Sequence, residues 1–335
     1  PTYVGAIRYM EMLNETRYND NPDGGRFQTY PENLINSWVT NNMTDPDNYP
    51  ITNWKDVLLK SSAPRQTHTV NIAGGGEIVR TKASFRYDET NGLYINKNYN
   101  RFLVRVNNDF KINKYISANL DFNFSRAKSI TPNSNPMGAG GMKIPAIYAV
   151  RWSHGGWGDV KDGENMLAKI TDGGTQTTYD MNVGGKAGLD ITPIEGLKIS
   201  AVVAPNFNNV KKKIFNKQIP YSTADDPTSI AGYMGGYKTT SLKENRNDWN
   251  DITTQFFANY AKTLGKHDFT VMAGYEDYYI KWENLMASRD QYQLSNYPYL
   301  DLGSKDYRDN SGNAEEYAYR SLFGRATYSY DNRYL

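Results

Sequence analysis

Aromatic residues interleaved with glycine form the densest group of potential ligand-binding residues, near the middle of the chain. Trp152, His154 and Trp157 fall within six residues, and three glycines lie among and after them. An indole ring is flat, rigid and largely apolar, so it can stack on the C–H face of a sugar, and glycine lets the backbone approach a ligand closely. The segment therefore predicts substrate contacts, most readily with carbohydrate. The alternative is that these rings pack a small core within their own loop or touch a partner protein.

Three further aromatic residues are weaker candidates for substrate contacts. Tyr148 precedes the group, whereas Trp249 and Trp282 lie much further along the chain. The two tryptophans occur near the ends of segments in which apolar and polar residues alternate. Amphipathic rings at such positions are typical of the aromatic girdle at a membrane interface, and that is the interpretation we prefer for Trp249 and Trp282.

The titratable residues show no catalytic or metal-binding pattern. His68, His154 and His267 are far apart in sequence, without the spacing of metal ligands, and no G-x-S-x-G motif occurs. The acidic segment 159–165 lacks the spacing of a calcium loop, and the glycine cluster 138–143 lacks that of a phosphate-binding loop. We therefore expect no metal, no cofactor and no enzymatic activity.

Composition excludes several other classes of protein. Lys and Arg number 38 against 36 Asp and Glu, a net charge of +2, which is too small to steer the chain toward nucleic acid. The absence of cysteine excludes disulfides and thiolate metal sites. The longest apolar stretch, at about 144–150, is far shorter than the ~20 residues of a spanning helix. A β-barrel stays possible, because its strands expose only alternate residues to lipid.

Apolar and polar residues alternate through most of the chain, which indicates β-strands. Between Val79 and Asp88 one set reads Val, Thr, Ala, Phe and Tyr, and the other reads Arg, Lys, Ser, Arg and Asp. The same two-residue period recurs in eight more segments. These are about 67–73, 101–112, 116–125, 181–191, 197–207, 252–260, 269–275 and 319–330, and Tyr334 with Leu335 resembles the start of a tenth strand.

Short and long connections between these segments alternate. The short ones are 74–77, 113–114, 193–196, 262–266 and 331–333, the long ones are about 127–179, 208–247 and 284–316, and 88–99 is intermediate. Because antiparallel neighbours reverse direction, all short turns fall at one end of the sheet and all long loops at the other. Compact soluble domains rarely carry three such loops. Outer-membrane barrels combine short periplasmic turns with long extracellular loops.

The charge on the polar set decides which solvent each face of the sheet meets. A charge at the bilayer centre costs roughly 2–4 kcal/mol on the lipid side of a barrel, so Val79 and Phe85 should face lipid while Arg80 and Lys82 face a wet interior. The predicted fold is all-β: a partial transmembrane antiparallel β-barrel of nine to ten strands. The alternative is a soluble β-sandwich with the apolar faces as its core. Five tyrosines near strand ends fit an aromatic girdle: Tyr87, Tyr260, Tyr275, Tyr328 and Tyr330.

Three groups of segments follow one another along the chain. The first is Thr52–Asp56, Ser62–His68, Val70–Gly76, Thr81–Tyr87 and Asn91-Gly92. The second is Arg101–Asn108 with Asn119–Ser125, and the third is Phe323–Tyr330 with 331–335. In this order they resemble the early barrel, the next hairpin and the mid-barrel signature of the SusC/RagA family, the TonB-dependent transporters of Bacteroidetes outer membranes. The long connections match no motif, as expected for loops that determine substrate choice.

The resemblance implies more than the periodicity does. Such transporters are plugged barrels of about 22 strands in the Gram-negative outer membrane, surrounded by its lipid. They import a bulky nutrient, usually a glycan and sometimes a peptide, with a SusD-like lipoprotein as lid and energy delivered through TonB. This sequence has no TonB box, plug domain or closing strands. We therefore expect those parts to lie outside these 335 residues, and we expect the sheet to have two exposed edges.

The same resemblance divides the chain into two regions. Residues 1–64 correspond to an external region after the first barrel strand; we expect mostly a solvated loop there, with weak helical character at Ala6–Asn14. Residues 65–335 correspond to barrel strands with long extracellular loops. The leading hypothesis is TonB-dependent import of an oligosaccharide or similar nutrient. The alternatives are a secreted or surface β-sandwich that binds glycan without transport, and a structural adhesin barrel.

Overall fold

One antiparallel sheet of nine long strands dominates the computed structural model, which describes residues 3–138 and 140–331. The strands follow one another around the sheet in chain order, so the all-β prediction is confirmed. They are β1 (Arg65–Gly75), β2 (Val79–Asn91), β3 (Asn98–Lys111), β4 (Ile116–Pro132), β5 (Gly174–Ile194), β6 (Leu197–Asn216), β9 (Ser241–Leu264), β10 (His267–Asp290) and β11 (Arg308–Tyr330). Two further strands, β7 (Pro220–Tyr221) and β8 (Gly232–Tyr233), pair only with each other, inside the β6–β9 connection.

The pairing register gives the sheet one apolar and one polar face. Residues opposite each other on neighbouring strands point to the same side, and Val104 pairs with Phe85 on β2 and with Phe124 on β4. One residue along β3, Arg105 pairs with Ser84 and Asn123, which lie on the other side. Grooves of about 500 and 430 Å³ lie mainly against this polar face, consistent with the inside of a curved sheet.

The strands continue beyond the segments that alternate in sequence. The long connections are therefore shorter than expected: 133–173, 217–240 and 291–307, with 92–97 as the intermediate one. The expected spans 127–179, 208–247 and 284–316 were too wide because alternation fades where both faces of a strand meet water, whereas backbone pairing does not depend on it. The short turns all lie at one end of the sheet, as predicted. Tyr334 and Leu335, the expected start of a tenth strand, lie outside the described residues.

The first 64 residues fold into helices, so the expectation of a mostly solvated loop was wrong. Helices α1 (Ala6–Asp20), α2 (Glu32–Thr44) and α3 (Trp54–Leu58) are joined by irregular segments and a 3₁₀ turn at Pro22–Gly24. The helical signal at Ala6–Asn14 thus extends to Asp20. Ala6, Met10 and Asn14 follow the spacing of one helix face, and all three are buried.

These helices pack against long connections that are far away in sequence. Met10, Ile35 and Trp38 form a buried cluster with Ala146, and Trp54 is buried in a second cluster with Ile144 and Ile170. The β4–β5 connection itself contains the left-handed turn α4 (Val160–Gly163) and the helix α5 (Met166–Asp172). We call residues 3–64, 133–138, 140–173 and 217–240 the loop lobe. It sits at the long-loop end of the sheet.

Candidate functional site

The loop lobe positions the aromatic group near residue 152 by hydrogen bonds between segments distant in sequence. Asp47, just after α2, accepts hydrogen bonds from the backbone N–H and the hydroxyl of Ser153, at 2.8 and 3.0 Å. Thr52 donates its backbone N–H to the Ala146 carbonyl and its hydroxyl to the Tyr148 carbonyl. The first 64 residues therefore brace the β4–β5 connection from one side.

Trp152 and His154 lie together against the β6–β9 connection. The Trp152 indole N–H donates to the Ser222 carbonyl at 2.9 Å, and His154 Nε2 lies 3.1 Å from the Thr223 carbonyl oxygen. The Gly156 N–H donates to His154 Nδ1. With Nδ1 as the acceptor of the Gly156 N–H, Nε2 is the nitrogen placed to donate to the Thr223 carbonyl. His154 is exposed and Trp152 is half-buried, so both can reach a ligand.

Trp157 is a packing residue of the loop lobe. It is 8% exposed and packs in a cluster with Ala168, Ile219 and Met234. Its indole N–H donates to Asp172 at 2.8 Å, and the Arg151 guanidinium lies 3.4 Å above its ring centre. A ring covered in this way has no free face for a sugar, so for Trp157 the structure favours the packing alternative over stacking.

Tyr148 is also part of the lobe's interior rather than its surface. It is half-buried beside the Trp54 cluster. Burial, together with the nearby carboxylates of Asp159 and Asp162, raises the pKa of its phenol above the ordinary value. The hydroxyl therefore stays protonated at neutral pH.

Trp249 lies apart from the other candidates, on the polar face of the sheet. It pairs in register with Asn208 on β6 and with Trp282 on β10, and Asn208 lies on the side that carries Asn206 and Asp251. The girdle prediction for both tryptophans was therefore wrong, because a girdle lies on the apolar face. Counting by twos along β10 from Phe269, an apolar-face residue, also places Trp282 on the opposite side.

Trp249 and Trp282 belong to a larger set of aromatic residues on the polar face of β9–β11, which the sequence analysis missed. Tyr278 and Tyr319 stack with ring centres 5.2 Å apart, and Tyr317 lies 6.1 Å from Tyr319. The Tyr319 hydroxyl donates to Glu276 at 2.6 Å. Tyr317, Tyr319, Trp282 and Phe323 are exposed. We call the set the aromatic stripe: Trp249, Phe257, Tyr278, Trp282, Tyr317, Tyr319 and Phe323.

The polar face of β2–β6 has a different chemistry, made of amides and charges. Asn123 donates to Asn182 at 3.0 Å, Asn182 donates to Asn206 at 2.8 Å, and Asn206 donates to Asp251 at 2.9 Å. This hydrogen-bonded chain crosses four strands, from β4 to β9. Further toward the long-loop end, Arg86 and Arg101 both pair with the same carboxylate, Asp88.

The apolar face carries aromatic residues at both borders of an apolar band. All five tyrosines predicted as girdle residues lie on this face. Near the short turns, His267, Phe269 and Tyr328 form a ring cluster. Tyr87 and Tyr275 mark the other border, eight residues beyond Val79 and His267, where β2 and β10 begin. The residues beyond them on this face are largely polar or charged, as Glu89 is on β2.

The acidic segments do not form a cation site. Asp226 accepts hydrogen bonds from the backbone N–H groups and hydroxyls of Thr228 and Ser229, and these bonds lower the pKa of its carboxyl below the ordinary range. In the segment 159–165, Glu164 pairs with Lys169 at 2.7 Å. Within the described part of the chain, no group of three or more His, Asp or Glu side chains is arranged to hold a metal ion.

Among residues 3–138 and 140–331, no helix is both long and apolar enough to span a bilayer.

Comparison with known proteins identifies the architecture. No family model matches the chain. It is 24% identical over 303 residues to the TonB-dependent receptor P26 of Formosa agariphila, covering 87% of this chain and 29% of the receptor. It is 22% identical over 361 residues to the TonB-dependent receptor SusC of Bacteroides thetaiotaomicron, covering 100% and 33%. The RagAB peptide importer in its closed-closed state superposes with a TM-score of 0.69 at 19% identity, covering 84% of this chain and 31% of that one.

The chain is SusC/RagA-like. The resemblance predicted from the ordered sequence segments is therefore confirmed, and the open nine-stranded sheet is part of a β-barrel. The chain spans about a third of the length of the curated relatives that it matches. Those relatives are named as receptors, and the superposed structure as an importer, so their names agree with the expectation of a non-enzymatic protein.

Proposed function

We propose that this SusC/RagA-like chain forms part of the wall of a transporter that imports a bulky nutrient across the Gram-negative outer membrane. The observation that carries the proposal is the apolar band bordered by aromatic residues on one face of the sheet, with amides and charges on the other. The receptor names of the relatives support it. Residues 1–64 and the long connections would then be extracellular, and the short turns periplasmic.

The free energy of burying charge determines which face meets lipid. On β2 and β3 the polar face carries Arg80, Lys82 and Arg105 at the height of the apolar band. A charge at the lipid-facing midplane costs roughly 2–4 kcal/mol, so three of them on that side would oppose insertion. Water or other protein groups inside the barrel can solvate them instead. The apolar face is therefore the lipid-facing one.

We propose an oligosaccharide as the nutrient, which the aromatic stripe and the pair Trp152 and His154 support. Exposed Tyr and Trp rings lie along one side of the barrel interior, where they can stack on successive sugars. A peptide is the second candidate, because the superposed structure is named as a peptide importer. Aromatic rings also accept apolar peptide side chains, so the substrate assay must include both classes.

The partners are also part of the proposal. By analogy with SusC-type receptors, a SusD-like lipoprotein would close the extracellular side, above the loop lobe. TonB would act through a part of the protein outside these residues.

The test uses the full-length protein expressed in a Bacteroidetes host and followed by membrane fractionation and uptake. We expect the protein in the outer membrane and TonB-dependent uptake of a labelled oligosaccharide, abolished by deletion of TonB. Protein in the soluble fraction, with sugar binding but no uptake, would instead establish the glycan-binding β-sandwich. Membrane localisation with uptake of peptides alone would support transport but overturn the proposal that the nutrient is an oligosaccharide.

A further inference from the structure

Three cations surround one tyrosine on the apolar face, just beyond the apolar band. Arg126 and Lys128 on β4 lie over the Tyr179 ring, with the guanidinium carbon and Nζ at 5.7 and 5.6 Å from its centre. Lys211 on β6 is the register partner of Tyr179. We call these three cations with Tyr179 the basic cluster. Arg126 and Lys211 are exposed, and Lys128 and Tyr179 are half-buried.

The three charges of the basic cluster are not neutralised within the part of the chain that the structure describes. None of them forms an ion pair there, whereas Lys186, Lys198 and other strand lysines do. On the neighbouring stretch of this face Glu283 pairs with Lys281 at 2.9 Å, whereas Asp248 accepts a hydrogen bond from the neutral amide of Asn209 and keeps its charge. The three cations outnumber this one carboxylate. The cluster therefore has capacity for an external anion.

The cluster lies at the depth of lipid headgroups, if the apolar face meets lipid as proposed above. Arg126 and Lys128 are two and four residues beyond Phe124, and Lys211 is four residues beyond Phe207. At ~3.3 Å per residue along a strand, Arg126 lies about 7 Å past Phe124, and Lys128 and Lys211 lie about 13 Å past Phe124 and Phe207.

A groove of about 390 Å³ leads from the apolar band to this cluster. Met181, Val183 and Phe207 line it on the band side, and Lys211, Asp248 and Glu283 line it beyond the band; Arg126 and Lys128 lie outside it. The groove therefore gives an apolar wall beside the basic cluster, where the acyl chain of an anionic amphiphile can lie while its head contacts the cations. A free anion would contact the basic cluster alone.

We propose that the basic cluster binds the phosphate of an outer-leaflet lipid, with an acyl chain in the groove. The inference rests on the proposed function only for the orientation of the face. Cations near a membrane surface attract anionic lipid, and Arg and Lys are the usual phosphate ligands in proteins. Free phosphate has the same charged group, and the test below distinguishes it from a lipid phosphate.

The test is a lipid titration of the purified full-length receptor in neutral detergent, with bound lipid counted by native mass spectrometry. The probes are lipid A, a zwitterionic lipid of matched chain length, and inorganic phosphate as competitor. The variant combines Arg126→Gln, Lys128→Gln and Lys211→Gln. The control removes the same charges from the polar face: Arg80→Gln, Lys82→Gln and Arg105→Gln. Heat-modifiable migration in gels reports folding, and if the triple variant does not fold, Lys211→Glu alone carries the test.

We expect wild type and control to bind lipid A alike, and the triple variant to bind it about 100-fold more weakly, since each basic residue at such a surface contributes roughly fivefold. Equal affinity of triple variant and wild type would overturn the site. If inorganic phosphate occupies the basic cluster as readily as lipid A does, the assignment of the site to a lipid is overturned. Because the titration is done in detergent, these outcomes are independent of where fractionation places the receptor.

Discussion

Aromatic rings in the loop lobe and in the aromatic stripe have opposite surroundings. In the lobe, Trp157 is enclosed by apolar side chains and covered by Arg151, and Trp54 is fully buried. In the stripe, Trp282 is 41% exposed and Tyr317 55%. The sequence motif that looks most like a sugar site is thus mainly structural, whereas the available rings lie on strands. Glycine beside tryptophan indicates close packing as readily as ligand binding.

The largest effect should come from truncating the lobe's buried tryptophan. Trp157→Ala removes a large side chain and leaves Asp172 without its donor, so we expect a loss of about 3–5 kcal/mol of lobe stability. Hydrogen exchange of residues 144–170 in the folded receptor measures it. His154→Ala is the matched control within the same motif. Protection that is unchanged in Trp157→Ala would show that this ring is not structural.

Breaking the amide chain on the polar face should cost less. Asn206→Leu removes the acceptor of the Asn182 amide and a donor to Asp251. Because these groups are only half-buried and water can replace Asn206, each lost hydrogen bond should cost its net value of about 0.5–1.5 kcal/mol. We expect a lower thermal midpoint. Asn71→Leu makes the same substitution on the polar face of β1, outside the hydrogen-bonded series of amides, and should leave the thermal midpoint unchanged within error. Equal shifts for the two variants would mean that the chain contributes nothing of its own.

Removing two exposed rings of the stripe should reduce binding without affecting folding. The double substitution Trp282→Ala and Tyr319→Ala deletes two stacking surfaces, each contributing about 0.5–1.5 kcal/mol in ring contacts. If an oligosaccharide is the ligand as proposed, we expect roughly tenfold weaker binding of it by calorimetry. Ser125→Ala, on the polar face of β4, is the control. If the control weakens binding as much as the double variant, the stripe is not the contact surface.

The smallest effect is expected at the exposed end of the lobe motif. His154→Ala removes a side chain whose hydrogen bonds reach only the Thr223 carbonyl and the Gly156 N–H, so stability should change by less than about 0.5 kcal/mol. If the exposed edge at Trp152 and His154 contacts substrate, oligosaccharide affinity falls a few-fold in calorimetry. Unchanged affinity would assign substrate contact to the stripe alone and sharpen the contrast between the two regions.

The sheet could be predicted from sequence alone because the pattern that specifies each strand is local. Alternation of apolar and charged residues, as from Val79 to Asp88, specifies a strand and the face that each residue takes. Turn composition then locates the short connections. The same counting by twos, continued from Phe269, would have found Tyr278 and Trp282, so the aromatic stripe was within reach. The stripe was missed because Trp249 and Trp282 were assigned to an aromatic girdle, which lies on the apolar face.

The loop lobe could not be predicted because its stabilising contacts are not local. Met10 and Trp38 share a buried cluster with Ala146, which is more than a hundred residues away in sequence. Whether Trp157 is exposed depends on Ile219 and Met234, in a different connection. No periodicity within residues 1–64 or 133–173 records these pairings.

The diagonal course of the apolar band across the sheet sets the tilt of the strands relative to that band. Register partners can be followed from Tyr87 on β2, strand by strand across the sheet, to Glu283 on β10, which takes six steps. Glu283 lies eight residues beyond Tyr275, the residue that marks the same border of the apolar band on β10. At ~3.3 Å per residue and ~4.8 Å per strand, this shift gives a tilt of about 42°. Rings that succeed one another along a strand therefore rise and also move sideways around the wall. The aromatic stripe is therefore a section of a spiral track, and an extended ligand bound along it would turn as it follows the wall.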